Sequence, residues 1–600
     1  MANFYADNGD IQFHLDHINL EPLVRLREPD FEDAAVYDYA PADVADAIDN
    51  YRRVLDLVGG IAGDVIAPLS PQIDTEGSHL DTDAGCVRYA PGIRKALDVL
   101  AQADLMGATL PRRYGGLNLP GIIFAMATEM VSRADASLMN IFGLQGIAET
   151  INMFASEEQK QRFLPRFAAG QVTGAMVLTE PDAGSDLQNV QLRAYQDETG
   201  QWRLQGVKRF ITNGCGEVLL VLARSEPDET GGMGLSLFLA ERGPARQPAT
   251  ARPVAVPGGD AVASPAIRIR RTEAKMGIHG SPTCEMQFAD APAELVGERR
   301  RGLVTYVMAL MNGARIGIAA QSLGIAEAAL RVARNYAATR VQFGRTIDRF
   351  PAVADLLAEM KLAIESGRAL LYEATLAADY EYALEAATDR EKDPARRSEI
   401  NKEQKKYKRL AALLTPVAKY YLSEMCNRVA YEAISVLGGS GYMKDYPLEQ
   451  LYRDARITSI YEGTSQLQVV AAVRGVMSGT AEKRFAELAA GAAPEGFDAE
   501  AAQLAETRKK LAAAVEYVKK QPADYVDLCA RALVDVAADV YLGYLWLGMA
   551  QHSAAKATIA HRFISRAVPR CDGALRLITS GDRSTLDAFD ALVGPTFEEV

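Results

Sequence analysis

The chain reads as a multidomain α+β protein. It comprises an N-terminal α-helical domain, a middle antiparallel, barrel-like β domain, a C-terminal helical bundle and an additional C-terminal α domain. Three observations predict this. At roughly 150 residues per domain, 600 residues are too many for one core. Apolar periodicity changes from three- and four-residue steps to short β-rich runs near Gln171, and back near Gly302. A content of 48% hydrophobic and 24% charged residues belongs to a packed globular chain and excludes disorder, collagen and rods.

The elements follow in order. An N-terminal arm (1–42) precedes the helical domain (43–170). There YRRVLDLVGGIAGDVIAPL and FAMATEMVSRADASLMNIFGL carry the helical period, and PRRYGG (111–116) makes a turn. The β domain (171–298) is read from GAMVLT, VQLRAY, WRLQGVKRFIT, EVLLVLAR, GLSLFLAER, AIRIRR and CEMQFAD. These runs have no helices between them, which predicts antiparallel pairing rather than a parallel α/β sheet. Helices return for the bundle (299–480). Its mixed-charge run 389–409 reads as a solvated helix pair or an elongated hairpin. The small-residue linker GAAPEGFD (491–498) lies within the additional domain (481–600).

Charge and cysteines narrow the function classes. Lys+Arg 65 against Asp+Glu 78 leaves -13, the wrong sign for a duplex-binding protein. Six scattered cysteines without a CxxC pair point to a reducing compartment and away from structural zinc. The first residues show no basic and apolar leader pattern, so a cytoplasmic protein is expected. The apolar stretch VYLGYLWLGMA (540–550) is about half a bilayer span, so no transmembrane segment is expected. Phosphate-loop, HExxH, GxSxG and GxGxxG patterns are absent. With only six histidines, no metal site is expected.

Three segments can carry chemistry. In VLTEPDAGSD (177–186), Gly184 and its neighbours can present consecutive N–H groups, while Thr179 and Ser185 add hydroxyls. Taken alone, the segment fits an ordinary Asx or Pro turn better. In IYEGTSQ (460–466), Ser465 and Gln468 suit a capping box, with Glu462 just before the helix beside Gly463. Solvated, this Glu is an ordinary acid; facing an apolar pocket, desolvation would raise its pKa toward that of a general base. In TRVQFGR (339–345), Arg340 beside Phe343 could clasp a pyrophosphate and a stacked ring. The alternative is a helix C-cap with Gly344 in the left-handed conformation.

In their order and spacing these segments, with PRRYGG, KRFITNG (208–214), LGGSGY (437–442) and RDARITSIYEGTSQ (453–466), resemble the acyl-CoA dehydrogenase family of flavoproteins. The resemblance runs over about 43–476. It implies FAD held without a dinucleotide fold, with Met176, Leu178, Thr179, Gly184 and Ser185 on the flavin side of the β domain. Phe210, Ile211 and Thr212 would lie behind the flavin ring. Arg340, Val341, Gln342 and Phe343, with Ser435, Gly438 and Gly439, resemble segments that reach the FAD of a neighbouring subunit. Gly463, Thr464 and Gln466 would complete the cofactor contacts. Many relatives have an aromatic residue at Met176, Trp at Phe210 and Gln at Ser435.

Glu462 matches the family's base. It would take the α proton of an acyl-CoA thioester while hydride leaves the β carbon for flavin N5, giving the trans-2-enoyl-CoA. The enolate oxygen would be held by the backbone N–H of Glu462 and a ribityl hydroxyl. The alternative base position of some relatives reads Ala314. Ser185, Asn312, Arg315, Tyr461 and Gly463 match substrate-contacting positions, Arg315 near the thioester. Electron-transferring flavoprotein is the implied acceptor. The added C-terminal domain resembles a roughly 600-residue subgroup that includes 3-methylmercaptopropionyl-CoA and bacterial fatty acyl-CoA dehydrogenases. It implies a homodimer over a tetramer, in fatty acid β-oxidation.

Two other readings share the frame. An acyl-CoA oxidase would depart from EGTSQ. A DNA-associated flavoprotein would need a basic C-terminal domain, whereas 481–600 carry 14 Lys/Arg against 17 Asp/Glu. Short, medium, long, thioether and cyclic acyl chains all remain open.

Overall fold

A computed structural model describes residues 2–143, 146–242, 266–491 and 493–596. Leu144, at the end of one predicted helical stretch, and Ala492, in the predicted linker, lie outside the described residues. The chain forms two compact units, one of Met1–Gln404 with Leu422–Thr464 and one of Lys405–Tyr421 with Ser465–Val600.

In the first unit the arm forms helices Gly9–His17 and Glu21–Arg27, which bury Ile11, Leu15, Leu23 and Val24. Asn8 caps the first by accepting from the N–H groups of Asp10 and Ile11. Ion pairs fix the arm. Arg112, from the PRRYGG turn, donates to Glu28 (2.7 Å) and to Asp33 (2.9 Å), with Arg112 and Glu28 each only 3% exposed. Arg133 pairs with Asp7 at 2.6 Å. Removing one partner of the sealed Arg112–Glu28 pair would cost about 3–5 kcal/mol, because a buried charge is left uncompensated.

The helical domain includes Val44–Gly60, capped by Asp43, then Gly121–Ala134, Ala136–Gly143 and Gly146–Phe154. It also has Glu157–Ala168, opened by a Ser156/Gln159 capping box. One departure from the helical expectation is the hairpin of β1 (His79–Asp81) and β2 (Cys86–Arg88). Asp81 Oδ1 accepts the N–H groups of Asp83 and Ala84, so the turn chemistry of DTDAG overrides the surrounding helical period.

The β domain contains β3 (Gly174–Val177), β4 (Arg193–Gln196), β5 (Trp202–Thr212), β6 (Val218–Arg224), β7 (Leu235–Glu241), β8 (Ile267–Thr272) and β9 (Thr283–Leu295). Strands β6, β7, β9, β5 and β4 close on themselves, with β3 beside β6 and β8 beside β9. The barrel-like form holds, but the purely antiparallel expectation is corrected: β3 and β4 both run parallel to β6. Parallel neighbours need a crossover rather than a tight turn. Here the loop after β3 and the β4–β5 hairpin supply it.

The bundle helices are Met308–Thr339, Pro351–Arg390, Pro394–Leu437 and Leu448–Ile457. The charged run is the corner between the second and third, with Asp393 capping by accepting from Arg396 N–H (2.9 Å). Its helix-pair reading is therefore the one observed. Between Met308–Thr339 and Pro351–Arg390, β10 (Val341–Gln342) pairs with β11 (Arg345–Thr346). Gly344 (φ 80°) therefore turns a β-hairpin rather than capping a helix, since Arg340 already has extended backbone.

The second unit is helical: Ser465–Met477, Thr480–Ala489, Asp498–Val518, Ala523–Ala550 and Ala554–Ile578 around Phe485, Tyr525, Trp546 and Phe563. The helix over the predicted capping box starts at Ser465, one residue earlier than that box requires. Three described helical stretches, Val44–Glu76, Gly302–Thr339 and Ala523–Ala550, are long and apolar enough to cross a membrane. This corrects the expectation drawn from 540–550 alone. A search for an unbroken apolar run misses helices in which Ala and Val alternate with isolated charges. In the last of the three, 72% of the apolar window is buried inside the protein.

Candidate active site

A cavity of about 300 Å³ lies within the first unit. One end is formed by Glu462, Tyr461, Met176, Thr212, Gly313 and Ala314. Glu462 stands on the short loop after Leu448–Ile457, in left-handed backbone (φ 54°), followed by Gly463 at φ 87°. A non-glycine residue there costs of order 1 kcal/mol and persists only where its surroundings enforce it. The enforcement is visible next door. The Tyr461 hydroxyl donates to Gln321 Oε1 and lies 3.0 Å from Asn140 Oδ1, while buried Gln321 Nε2 donates to Ala136 O and Asn140 Oδ1 (2.9 Å each). This network ties the loop to two helices.

Arg315 donates from Nη1 to Asn312 Oδ1 at 3.1 Å, the i, i+3 pair expected from sequence. Its Nε is buried and has no acceptor among the described residues. Burial lowers the guanidinium pKa, and the charge of Glu462 acts against that shift. Ala314, the alternative base position, does line the cavity and brings no carboxylate.

The β-domain positions divide. Met176 and Thr212 reach the cavity wall. Gly184 and Ser185 are exposed, and Thr179 is half-buried. Phe210 sits in left-handed backbone (φ 61°), half exposed, at a register shift of β5, with the Arg209 guanidinium over its ring. The Leu178 and Ile211 side chains are buried in the cores and do not line the cavity.

Sequence reasoning did not find the partner of this loop. Lys208 Nζ, fully buried, donates to Leu178 O (2.7 Å) and pairs with Glu180 Oε1 (2.9 Å). Glu180 also accepts the N–H groups of Gln191 (2.8 Å) and Leu192 (2.9 Å). Burial pulls Lys208 down to about 8.

Arg340, Val341, Gln342 and Phe343, with Ser435, Gly438 and Gly439, are all exposed, Phe343 to 94%. The two segments are drawn together by Tyr336, whose hydroxyl lies 3.4 Å from Ser440 Oγ. None of them lines the cavity. Gly463 and Thr464 are half-buried in the Glu462 loop, and Gln466 is exposed at the start of Ser465–Met477.

The other end of the cavity was not legible. Arg27, Thr109, Glu149, Asp379 and Tyr382 line it, drawn from the arm, a loop and two helices. Gly121 N–H (2.7 Å) and Ile122 N–H (2.9 Å) donate to the two oxygens of Asp379, which caps Gly121–Ala134 from another helix. Gly121 makes this possible: a Cβ there would sit 2.8 Å from Asp379 Oδ1. Burial raises the carboxyls of both Asp379 and Glu149, and the Arg27 charge opposes this in each.

Comparison with known proteins identifies the family. Residues 49–171, 175–291 and 316–466 match, in order, the N-terminal, middle and C-terminal domains of acyl-CoA dehydrogenase. The chain is 32% identical over 545 residues to a 3-methylmercaptopropionyl-CoA dehydrogenase of Ruegeria pomeroyi, covering 86% of this chain and 85% of that one. The chain belongs to the acyl-CoA dehydrogenase family. Butyryl-CoA dehydrogenase from Megasphaera elsdenii is similar in structure (TM-score 0.58, 29% identity), covering 71% of this chain and 98% of that one. An acyl-CoA dehydrogenase from Bacillus anthracis, complexed with FAD, shares the fold over 88% of both chains (TM-score 0.71, 21% identity). As a member of the family, this chain is an oxidoreductase acting on the CH–CH bond of an acyl-CoA.

Proposed function

We propose that the protein binds FAD and dehydrogenates an acyl-CoA thioester to the trans-2-enoyl-CoA, with Glu462 as the base. The observation that carries this reading is a carboxylate held in strained backbone at a cavity wall beside the two β-domain residues that reach it, Met176 and Thr212. The surroundings suit a flavin. Phe210 is half exposed in a conformation of its own, and the Gly184–Ser185 turn leaves its groups accessible. FAD, when bound, supplies the hydride acceptor at N5 and a ribityl hydroxyl for the thioester carbonyl.

The chain's own residues do the rest. Glu462 lines the cavity, where a bound thioester would displace water, and a desolvated carboxylate is the stronger base toward a weakly acidic α C–H. Its backbone N–H offers one hydrogen bond to the developing enolate oxygen. Tyr461 fixes the loop through Gln321 and Asn140. Arg315 holds positive charge near Glu462, and the Glu462 charge in turn opposes the lowering of the guanidinium by burial. Asn312, Ser185 and Gly463 complete the substrate contacts by their place in the family pattern.

The exposed Arg340–Phe343 hairpin and Ser435–Gly439 turn serve the FAD of a second copy, which makes the working unit a homodimer. Electron-transferring flavoprotein takes the electrons, in a cytoplasmic β-oxidation step. The test is anaerobic loss of flavin absorbance against a panel of straight, thioether and cyclic acyl-CoAs. Bleaching by one of them is expected, and a folded protein that neither contains nor accepts FAD would defeat the reading.

A further inference from the structure

At the cavity's far end charged groups stand among apolar residues such as Leu119 and Phe124. The Arg27 guanidinium borders it, yet only Nη2 is engaged, donating to Asn118 O and Oδ1 (3.1 Å each) and to Leu119 O (3.0 Å). Nε is buried with no acceptor, and among the described residues Nη1 has none either. Arg27 makes no ion pair there, although Glu149 and Asp379 both sense its charge. The Glu149 carboxyl faces the cavity with the Thr109 hydroxyl beside it. A buried guanidinium nitrogen left without an acceptor is costly unless a ligand supplies one.

The groups present say what kind of ligand. The Arg27 guanidinium can only donate, and an ionised Glu149 carboxylate can only accept. A carboxylate on the ligand would also face the carboxyls of Glu149 and Asp379. We propose that this end of the cavity recognises a hydroxyl group on the distal part of the acyl chain, which accepts from Arg27 and donates to Glu149. Arg27 and Glu149 are then specificity-determining residues, and the arm's ion pairs through Arg112 and Arg133 fix where Arg27 stands. This rests on the acyl-CoA dehydrogenase reading of the same cavity.

The test uses the full-length, FAD-loaded protein and acyl-CoAs from butanoyl to octanoyl, each with a methyl, hydroxyl or carboxyl terminus. At one chain length the hydroxyl form is expected to exceed the methyl form in kcat/KM by about tenfold or more. In Arg27→Met that ratio should fall to near one. Glu149→Gln, which keeps the shape, should lower it also and serves if Arg27→Met does not fold. A preference for methyl or carboxyl termini at every length, or a ratio unmoved in Glu149→Gln, overturns the proposal alone. Reduction by none of the thioesters overturns the dehydrogenase reading and this proposal with it.

Discussion

The two ends of the cavity hold carboxyl groups in opposite ways. At the far end Asp379 spends both oxygens on the N–H groups of Gly121 and Ile122, on the first turn of a helix whose dipole favours its charge. At the near end Glu462 stands on a short loop in strained backbone, next to a glycine and within the field of Arg315. Asp379 is buried and Glu462 half-buried at the cavity wall, so burial alone does not make a base. What separates them is placement: Asp379 is committed to a helix N-terminus, whereas Glu462 lines the cavity on a strained loop.

That contrast can be broken or sharpened by substitution. The largest effect is expected for Glu462→Gln, which should lower turnover by about 10³–10⁴-fold, with FAD content intact by absorbance. Moving the carboxylate is the sharper version. Adding Ala314→Glu to Glu462→Gln places a carboxyl on the same cavity wall and should recover roughly tenfold or more of the lost rate in a steady-state assay. Lys208→Met should lower the unfolding free energy in urea by about 3 kcal/mol, because Glu180 loses the charge that its burial requires. Asp379→Asn should cost about 1–3 kcal/mol of stability and change turnover less than about threefold, the inverse of Glu462→Gln.

The smallest effect is in pH. Burial pushes Asp454 up to about 7 from 3.8, and Asp135 up to about 6. The folded protein then binds more protons than the unfolded chain between about pH 4 and 7, so these two groups favour folding as the pH falls through that window. Their ionised forms work against it above pH 7. Thermal melts of Asp454→Asn should show a shallower rise in Tm on acidification than the parent.

Sequence legibility follows the same divide. The near end was legible because it is carried by short segments whose residues act within a few positions of each other. TEPDAGSD, KRFITNG and IYEGTSQ each bring backbone geometry and side chains together, and Glu462, Met176 and Thr212 do meet at one wall. The far end is assembled from Arg27, Thr109, Glu149 and Asp379, parts of the chain that only tertiary packing joins, and no local pattern marks any of them. The arm looked like an appendage because its anchors, Glu28 and Asp33, find Arg112 only in the fold. In the β domain every predicted run became a strand, while the direction of β3 was hidden because pairing partners depend on the path of the connecting loop. The Gly344 turn shows the reverse case: left-handed backbone was foreseen at the right residue, in a different motif.

The most direct test of the central claim is anaerobic stopped-flow reduction of the FAD-bound protein by its best acyl-CoA, comparing the parent with Glu462→Gln. The account predicts equal FAD content, similar acyl-CoA binding and a flavin reduction rate lower by about 10³-fold or more in the variant. Flavin reduction at the same rate in both proteins would contradict it and remove Glu462 from the chemistry.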